Sequence, residues 1–192
     1  MTLFYLIGIV VFVFLVIYVL LFIAYQILKP EADPFLDNEK MPHLQPIPIP
    51  TKNQEHWLLR VLVWIFEIRQ WELVEDWYYQ LDDDVKIVVP NEFIFDGASI
   101  PRPLWAILSP VGLLLIPGLI HDYAYQHDKL LQIDANGDKI PYQEGSGRDY
   151  WDELFFKVSV EVNGLPFLSL IAWFALFVGG WVAWNRYRRG QA

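Results

Sequence analysis

Two stretches of the chain carry no polar relief, and the residues between them are punctuated throughout. From Leu3 to Leu28 the sequence LFYLIGIVVFVFLVIYVLLFIAYQIL holds no charge. About 20 apolar residues suffice to cross hydrocarbon as a helix, which satisfies its own backbone groups internally. The start has no basic residue, the apolar run is longer than a signal sequence needs, and no small-x-small site follows, so an uncleaved anchor is expected. A second span is expected over Leu165 to Trp184, LPFLSLIAWFALFVGGWVAW, with Trp173, Trp181 and Trp184 suited to a membrane boundary. Arg186, Arg188 and Arg189 come next, and by the positive-inside rule they place the C-terminus in the cytoplasm. Two spans then return the N-terminus to the same side and leave the middle of the chain outside the cytoplasm.

Between the spans the pattern changes several times. Residues 29–55 are rich in Pro and charge, including PIPIP at Pro46 to Pro50, and form a linker or a strap laid over a surface. WLLRVLVWIFEIRQW, Trp57 to Trp71, is too interrupted to span; it is a buried element, a helix lying in the membrane interface, or a strand. WELVEDWYYQL and VKIVVP read as two strands turning at Asp82, Asp83 and Asp84, and NEFIFD as a third. Pro101, Pro103 and Pro110 break any long helix, whereas Pro117 suits the first turn of one running through GLIHDYAYQHDKLL. DANGD at Asp134 to Asp138 is a turn, and RDYWDELFFKV, Arg148 to about Val158, is a last amphipathic helix. The expected fold class is α+β, a small antiparallel sheet packed with a few helices and flanked by two transmembrane helices. Its parts are an anchor (1–28), a linker (29–55), the domain (56–163), a second span (164–185) and a basic tail (186–192).

Charge and composition narrow the function. All 23 acidic residues lie in the middle stretch with 11 of the 14 basic ones, a net of −12. Such a surface repels phosphate backbones and argues against nucleic acid as a partner. There is no cysteine, hence no disulfide and no thiolate chemistry. Glycine is missing from position six and glutamate from position twelve of DANGDKIPYQEG, so it is not a calcium loop, and the spacing of His43, His56 and His127 fits no zinc site.

The candidate chemistry sits in HDYAY. On a helix His121 and Tyr125 share a face while Asp122 turns about 100° aside. A neutral imidazole with a carboxylate behind it abstracts protons, and the second carboxylate is free to hold substrate or metal. A hydrogen-bonded core histidine is the commoner arrangement for three such residues. On the last helix Asp149, Asp152 and Glu153 share a face; a carboxylate there that packs beside His121 would orient it, while an exposed acidic face is the commoner explanation for any one of them. Asp96 closes a strand-like run and either faces a pocket or caps a turn with Ser99. Arg102 pairs with a carboxylate or an anionic ligand, or faces solvent.

FIFDGASIPRPLW, then IHDYAY, then RDYWDELF together resemble the bacterial and phage family catalogued as Domain of Unknown Function 1353. Its pattern is met by Phe93, Asp96, Ala98, Ser99, Pro101 and Arg102, by His121, Asp122 and Tyr125, and by Arg148, Asp152 and Phe155. The likeness covers about Gln70 to Val158, and neither span belongs to the family's usual pattern. The insertion IDANGDKIPYQEGSG separates the two helices more than the resemblance implies. A fainter likeness joins His121, Asp122 and Tyr125 to secreted phospholipases of the His-Asp-x-x-Tyr type, without their glycine-rich calcium loop or disulfides. What the resemblance to Domain of Unknown Function 1353 implies is a phage or prophage context, hence a bacterial inner membrane or a virion membrane, and one constellation of Asp96, His121, Asp122 and Asp152. The preferred expectation is hydrolysis of an envelope component. His121 is its base and Asp152 orients that base; Asp122 and Asp96 hold a divalent metal or the substrate, with Ser99, Arg102 and Tyr125 as binding residues. The rival is a non-enzymatic envelope or virion protein whose surface contacts lipid or a partner protein.

Overall fold

The computed structural model describes residues 2–29, 36, 40–66, 69–96 and 112–189. The elements run α1 (Thr2–Leu28), β1 (Leu44–Pro46), α2 (Trp57–Phe66), β2 (Trp71–Leu73), β3 (Trp77–Asp82), β4 (Val85–Val89) and β5 (Ile94–Phe95). They continue with α3 (Leu115–His127), β6 (Leu130–Ile133), β7 (Lys139–Tyr142), α4 (Arg148–Asn163) and α5 (Pro166–Arg189). Residues 1–35 and 36–192 form separate compact units, and α1 is the only described element of the first. Its side chains are exposed along its length. Both α1 and α5 are long and apolar enough to cross a membrane.

The second unit is α+β with two small antiparallel sheets instead of one. Their strand orders are β1-β2-β5 and β3-β4-β6-β7. In β3 the alternation is strict: Trp77, Tyr79 and Leu81 point inward while Tyr78, Gln80 and Asp82 point out, as a half-buried strand requires. WELVEDWYYQL, expected as one strand, breaks into β2 and β3 in different sheets. The break is held open because the Val74 N–H donates to the His43 carbonyl and the Asp76 carboxylate accepts from the Asn91 N–H and Lys139. The turn at Asp83 and Asp84 joins β3 to β4 as expected.

The insertion between the helices is itself structured. Asp134 takes the backbone N–H groups of Asn136 and Asp138 on one carboxylate oxygen at 2.9 and 2.8 Å. Gly137 supplies the positive φ of 89° that the turn needs, so the segment becomes the β6–β7 hairpin and extends the sheet past β4. The helix expected through Leu131 therefore stops at His127. Asp128 adopts a left-handed conformation, φ 52°, and its N–H closes on the Ala124 carbonyl. At its far end α4 runs past Val158 to Asn163, where Gly164 caps it with φ 62°.

Asp128 also fastens the two helices together. Its Oδ1 accepts from the Gly147 N–H at 3.1 Å and from Trp151 Nε1 at 2.9 Å, and its carbonyl accepts from the Gly145 N–H. Helix α3 is buried on nearly every side and packs on α4, α5, β5 and β6. The core gathers both sheets with α3 and α4, including Leu73, Ile87, Leu119, Leu130, Trp151 and Val158.

Within the stretch Trp57 to Trp71, Trp57–Phe66 forms a helix, α2, whose Trp57, Leu58 and Leu59 are exposed, while Trp71 opens β2. It stands on an excursion closed at its base by the Ile47 N–H donating to the Gln70 carbonyl. Helix α5, in contrast, is half packed. Ser169 shares a hydrogen bond with Ser159 of α4 at 2.8 Å, Ala172 meets Phe155 and Leu114, and Ala183, Trp184 and Tyr187 pack on the main core. Charges of α4 lie beside the middle of α5. The Arg148 guanidinium stands 5.9 Å over the Phe177 ring, and Asp149 and Glu153 border a cleft shared with Trp173 and Phe177. Carrying each such charge to the centre of a bilayer costs about 3 kcal/mol or more.

Because Trp151 is 1% exposed, removing its acceptor strands a buried N–H. Asp128→Ala is therefore expected to lower stability by about 2 to 3 kcal/mol, measured by denaturant unfolding, with Asp128→Asn recovering part of the loss.

Candidate functional site

Helix periodicity puts His121 and Tyr125 one turn apart on α3, and α4 presents Asp152 to both. His121 Nε2 lies 2.9 Å from Asp152 Oδ1, and the Tyr125 hydroxyl donates to the same oxygen at 2.5 Å. The imidazole and phenol rings lean together with centroids 4.0 Å apart, and Phe155 meets the imidazole edge-on at 5.4 Å. His121 is 4% exposed and Asp152 2%. With Nε2–H donated to a carboxylate, the neutral imidazole keeps its lone pair on Nδ1. That atom faces Asp122 Oδ1 at 3.9 Å, too long for a hydrogen bond and close enough for charge to act.

Asp96, at the end of β5, brings its carboxyl group against Asp122. Gln126 of α3 holds that strand end by donating to the Ile94 carbonyl at 3.4 Å. Burial raises the Asp122 carboxyl to about 7; Asp96 pushes the same way and His121 opposes both. For His121 burial acts to lower the pKa but is outweighed by Asp122 and Asp152, so the net direction is upward. Burial, reinforced by Asp152, holds the Tyr125 phenol protonated well above its usual range. Among the described residues, one oxygen of each aspartate, Asp122 Oδ2 and Asp152 Oδ2, is buried without a hydrogen-bond partner. Arg148 Nε stands 3.8 Å from Asp152 Oδ2. Asp152 also lines the α4–α5 cleft of about 400 Å³, with Asp149, Glu153, Phe156, Trp173 and Phe177.

The structure thus brings Asp96, His121, Asp122, Tyr125 and Asp152 into one chain of neighbours. Ser99 and Arg102 lie outside the described residues. Among the described residues no group of three or more His, Asp or Glu side chains is arranged to hold a metal ion. Asp96 and Asp122 supply two carboxylates to any cation that binds there.

Sequence reasoning did not anticipate what α5 contributes. A Cβ built on Gly180 would stand 2.7 Å from the Tyr125 hydroxyl, so the glycine is what lets α5 pass. Trp184 meets the Tyr125 ring edge-on at 5.2 Å. Arg188 donates to the Tyr125 carbonyl at 2.7 Å while stacking 4.2 Å over Trp184. It thereby places a cation on the last-turn carbonyls of α3, where the helix dipole favours one. The Gly179-Gly180 pair inside an apolar helix was the available signal of close approach.

Two outcomes follow from this packing and charge. Gly180→Ala is expected to push the phenol off Asp152 and cost about 1 to 3 kcal/mol, read as a lower unfolding midpoint. Asp122 and His121 both bind their protons more tightly folded than unfolded, so the stability they contribute is fully present at low pH. It fades as pH rises, for Asp122 between the unfolded carboxylate value of 3.8 and about 7, for His121 from 6.5 upward. Asp122→Asn mimics the protonated acid, and thermal melts from pH 5 to 9 are expected to fall less steeply for the variant than for the parent.

A family model described as a protein of unknown function, DUF1353, matches residues 71–176. No curated protein and no solved structure matches the chain. The match takes in both sheets' central strands, the His121 and Asp152 helices and the first half of α5, more than half of the chain, and the chain belongs to the DUF1353 family.

Proposed function

We propose that the protein is a membrane-attached hydrolase acting on an envelope component, with His121 as the base. The observation that carries this is the single Asp152 oxygen that receives both His121 Nε2 and the Tyr125 hydroxyl. It fixes the tautomer and ring orientation and leaves Nδ1 unprotonated, with its proton affinity raised by the surrounding carboxylates. Asp152 and Tyr125 are then positioning residues. Asp122 and Asp96 meet the substrate on the Nδ1 side, and a divalent ion binding there would relieve their mutual repulsion. Attachment rests on α1 and on the exposed apolar side chains of α2 and α5.

One observation favours a second reading. At 4% exposure the imidazole has little contact with water, and the same network would serve as a knot tying α3 to α4 in an envelope structural or interaction protein. Diethyl pyrocarbonate separates the two without knowledge of the substrate. In the folded full chain the hydrolase reading requires His121 to be carbethoxylated within about tenfold of the exposed His43. Protection of His121 until the chain unfolds supports the knot. Where His121 reacts, phospholipid vesicles and purified peptidoglycan are the substrates to assay. His121→Gln is expected to lower turnover by about a hundredfold or more with its unfolding midpoint retained.

A further inference from the structure

We propose that α5 lies in the plane of a membrane interface as the face on which the domain rests, and that it does not cross the bilayer. The inference builds on the membrane attachment proposed above and is independent of the hydrolase reading. Length and composition alone permit α5 to cross. Its packing argues otherwise. One face is committed to the domain from Ser169, bonded to Ser159, to Arg188, seated on the Tyr125 carbonyl. The first half of α5, to Leu176, also lies inside the family match.

The opposite face is apolar and open. Phe167, Leu170, Phe174, Val178, Trp181 and Val182 are each between 49% and 76% exposed. They form a stripe of about 24 Å at 1.5 Å per residue. Asn185, Arg186 and Arg189 end the stripe with exposed polar groups. A crossing α5 would carry its whole stripe through the hydrocarbon and take Arg148, Asp149 and Glu153 of α4 to its centre. An in-plane α5 immerses the same stripe and leaves those charges on the domain side, in water or among headgroups. Arg188, read from the sequence as a cytoplasmic signal, is engaged by the C-terminus of α3.

The occupant is a bilayer because the same chain carries α1, 27 residues long, apolar and exposed throughout. In this arrangement the cleft bordered by Asp149 and Glu153 opens beside the lipid headgroups.

The absence of cysteine allows single-site labelling of the full chain. Phe167→Cys, Phe174→Cys and Trp181→Cys, each carrying a nitroxide, are placed in vesicles of phosphatidylethanolamine and phosphatidylglycerol, with Val16→Cys as the marker for α1. In-plane docking requires all three α5 labels to be accessible to oxygen, shielded from a nickel chelate, and at a common shallow depth. A progressive spread of depth over about 20 Å means a crossing helix and overturns the proposal. Labels open to the nickel chelate mean water, and labels closed to both reagents mean a second copy; either overturns it. A Val16 label outside lipid removes the membrane attachment as well, which distinguishes the two failures. As a second readout, Glu144→Cys and Arg189→Cys should react with an impermeant maleimide from the same side of sealed vesicles, and reaction from opposite sides overturns the proposal.

Discussion

A carboxylate taken out of water must be compensated, and Asp152 is the group on which the arrangement of α3, α4 and α5 turns. Its Oδ1 is shared by an imidazole from α3 and a phenol one turn further on. The phenol is held in turn by the passage of α5 at Gly180 and by Trp184. Removing either donor leaves a buried carboxylate short of a hydrogen bond, at a cost of about 1 to 3 kcal/mol or more, a sizeable part of a small domain's stability. The three helices are thus tied by one acceptor, and a shift in any of them is felt at the imidazole.

Around that acceptor the charge distribution is uneven. His121 is flanked by Asp152 on Nε2 and faces Asp122 on Nδ1, with Asp96 beyond. Three carboxyl groups and one imidazole in a mostly buried site cannot all ionise without cost. The upward displacement of Asp122 to about 7 is how the molecule meets that constraint. A proton is held near neutral pH within reach of the imidazole, a property useful to a proton-transfer site and merely stabilising in a sealed knot.

Apolar side chains on α5 answer two different demands. The small residues Ser169, Ala172 and Gly180 let α3 and α4 approach, while the large ones opposite them stay uncovered. Hydrophobicity all round is therefore the sum of a core face and an open face. In α1, by contrast, every described side chain is exposed or nearly so, and no such division exists.

Local chemistry in the sequence determined much of this. The α+β class, the long apolar helices, the turn at Asp83 and Asp84, the α3 helix with Pro117 in its first turn and the family blocks all follow from patterns contained within a few residues. The grouping of His121 with Tyr125 follows from one helical turn. Tertiary structure alone decided that the strand expected over Trp71 to Leu81 divides between two sheets, and that the insertion after Gln132 becomes a hairpin. It also decided that α3 stops at Asp128, whose carboxylate finds Gly147 and Trp151 about 20 residues away. The meaning of Gly180, Trp184 and Arg188 was equally out of reach, because their partner Tyr125 lies more than 50 residues earlier. A period of 3.6 shows which side chains share a face, but not which distant helix will cover it.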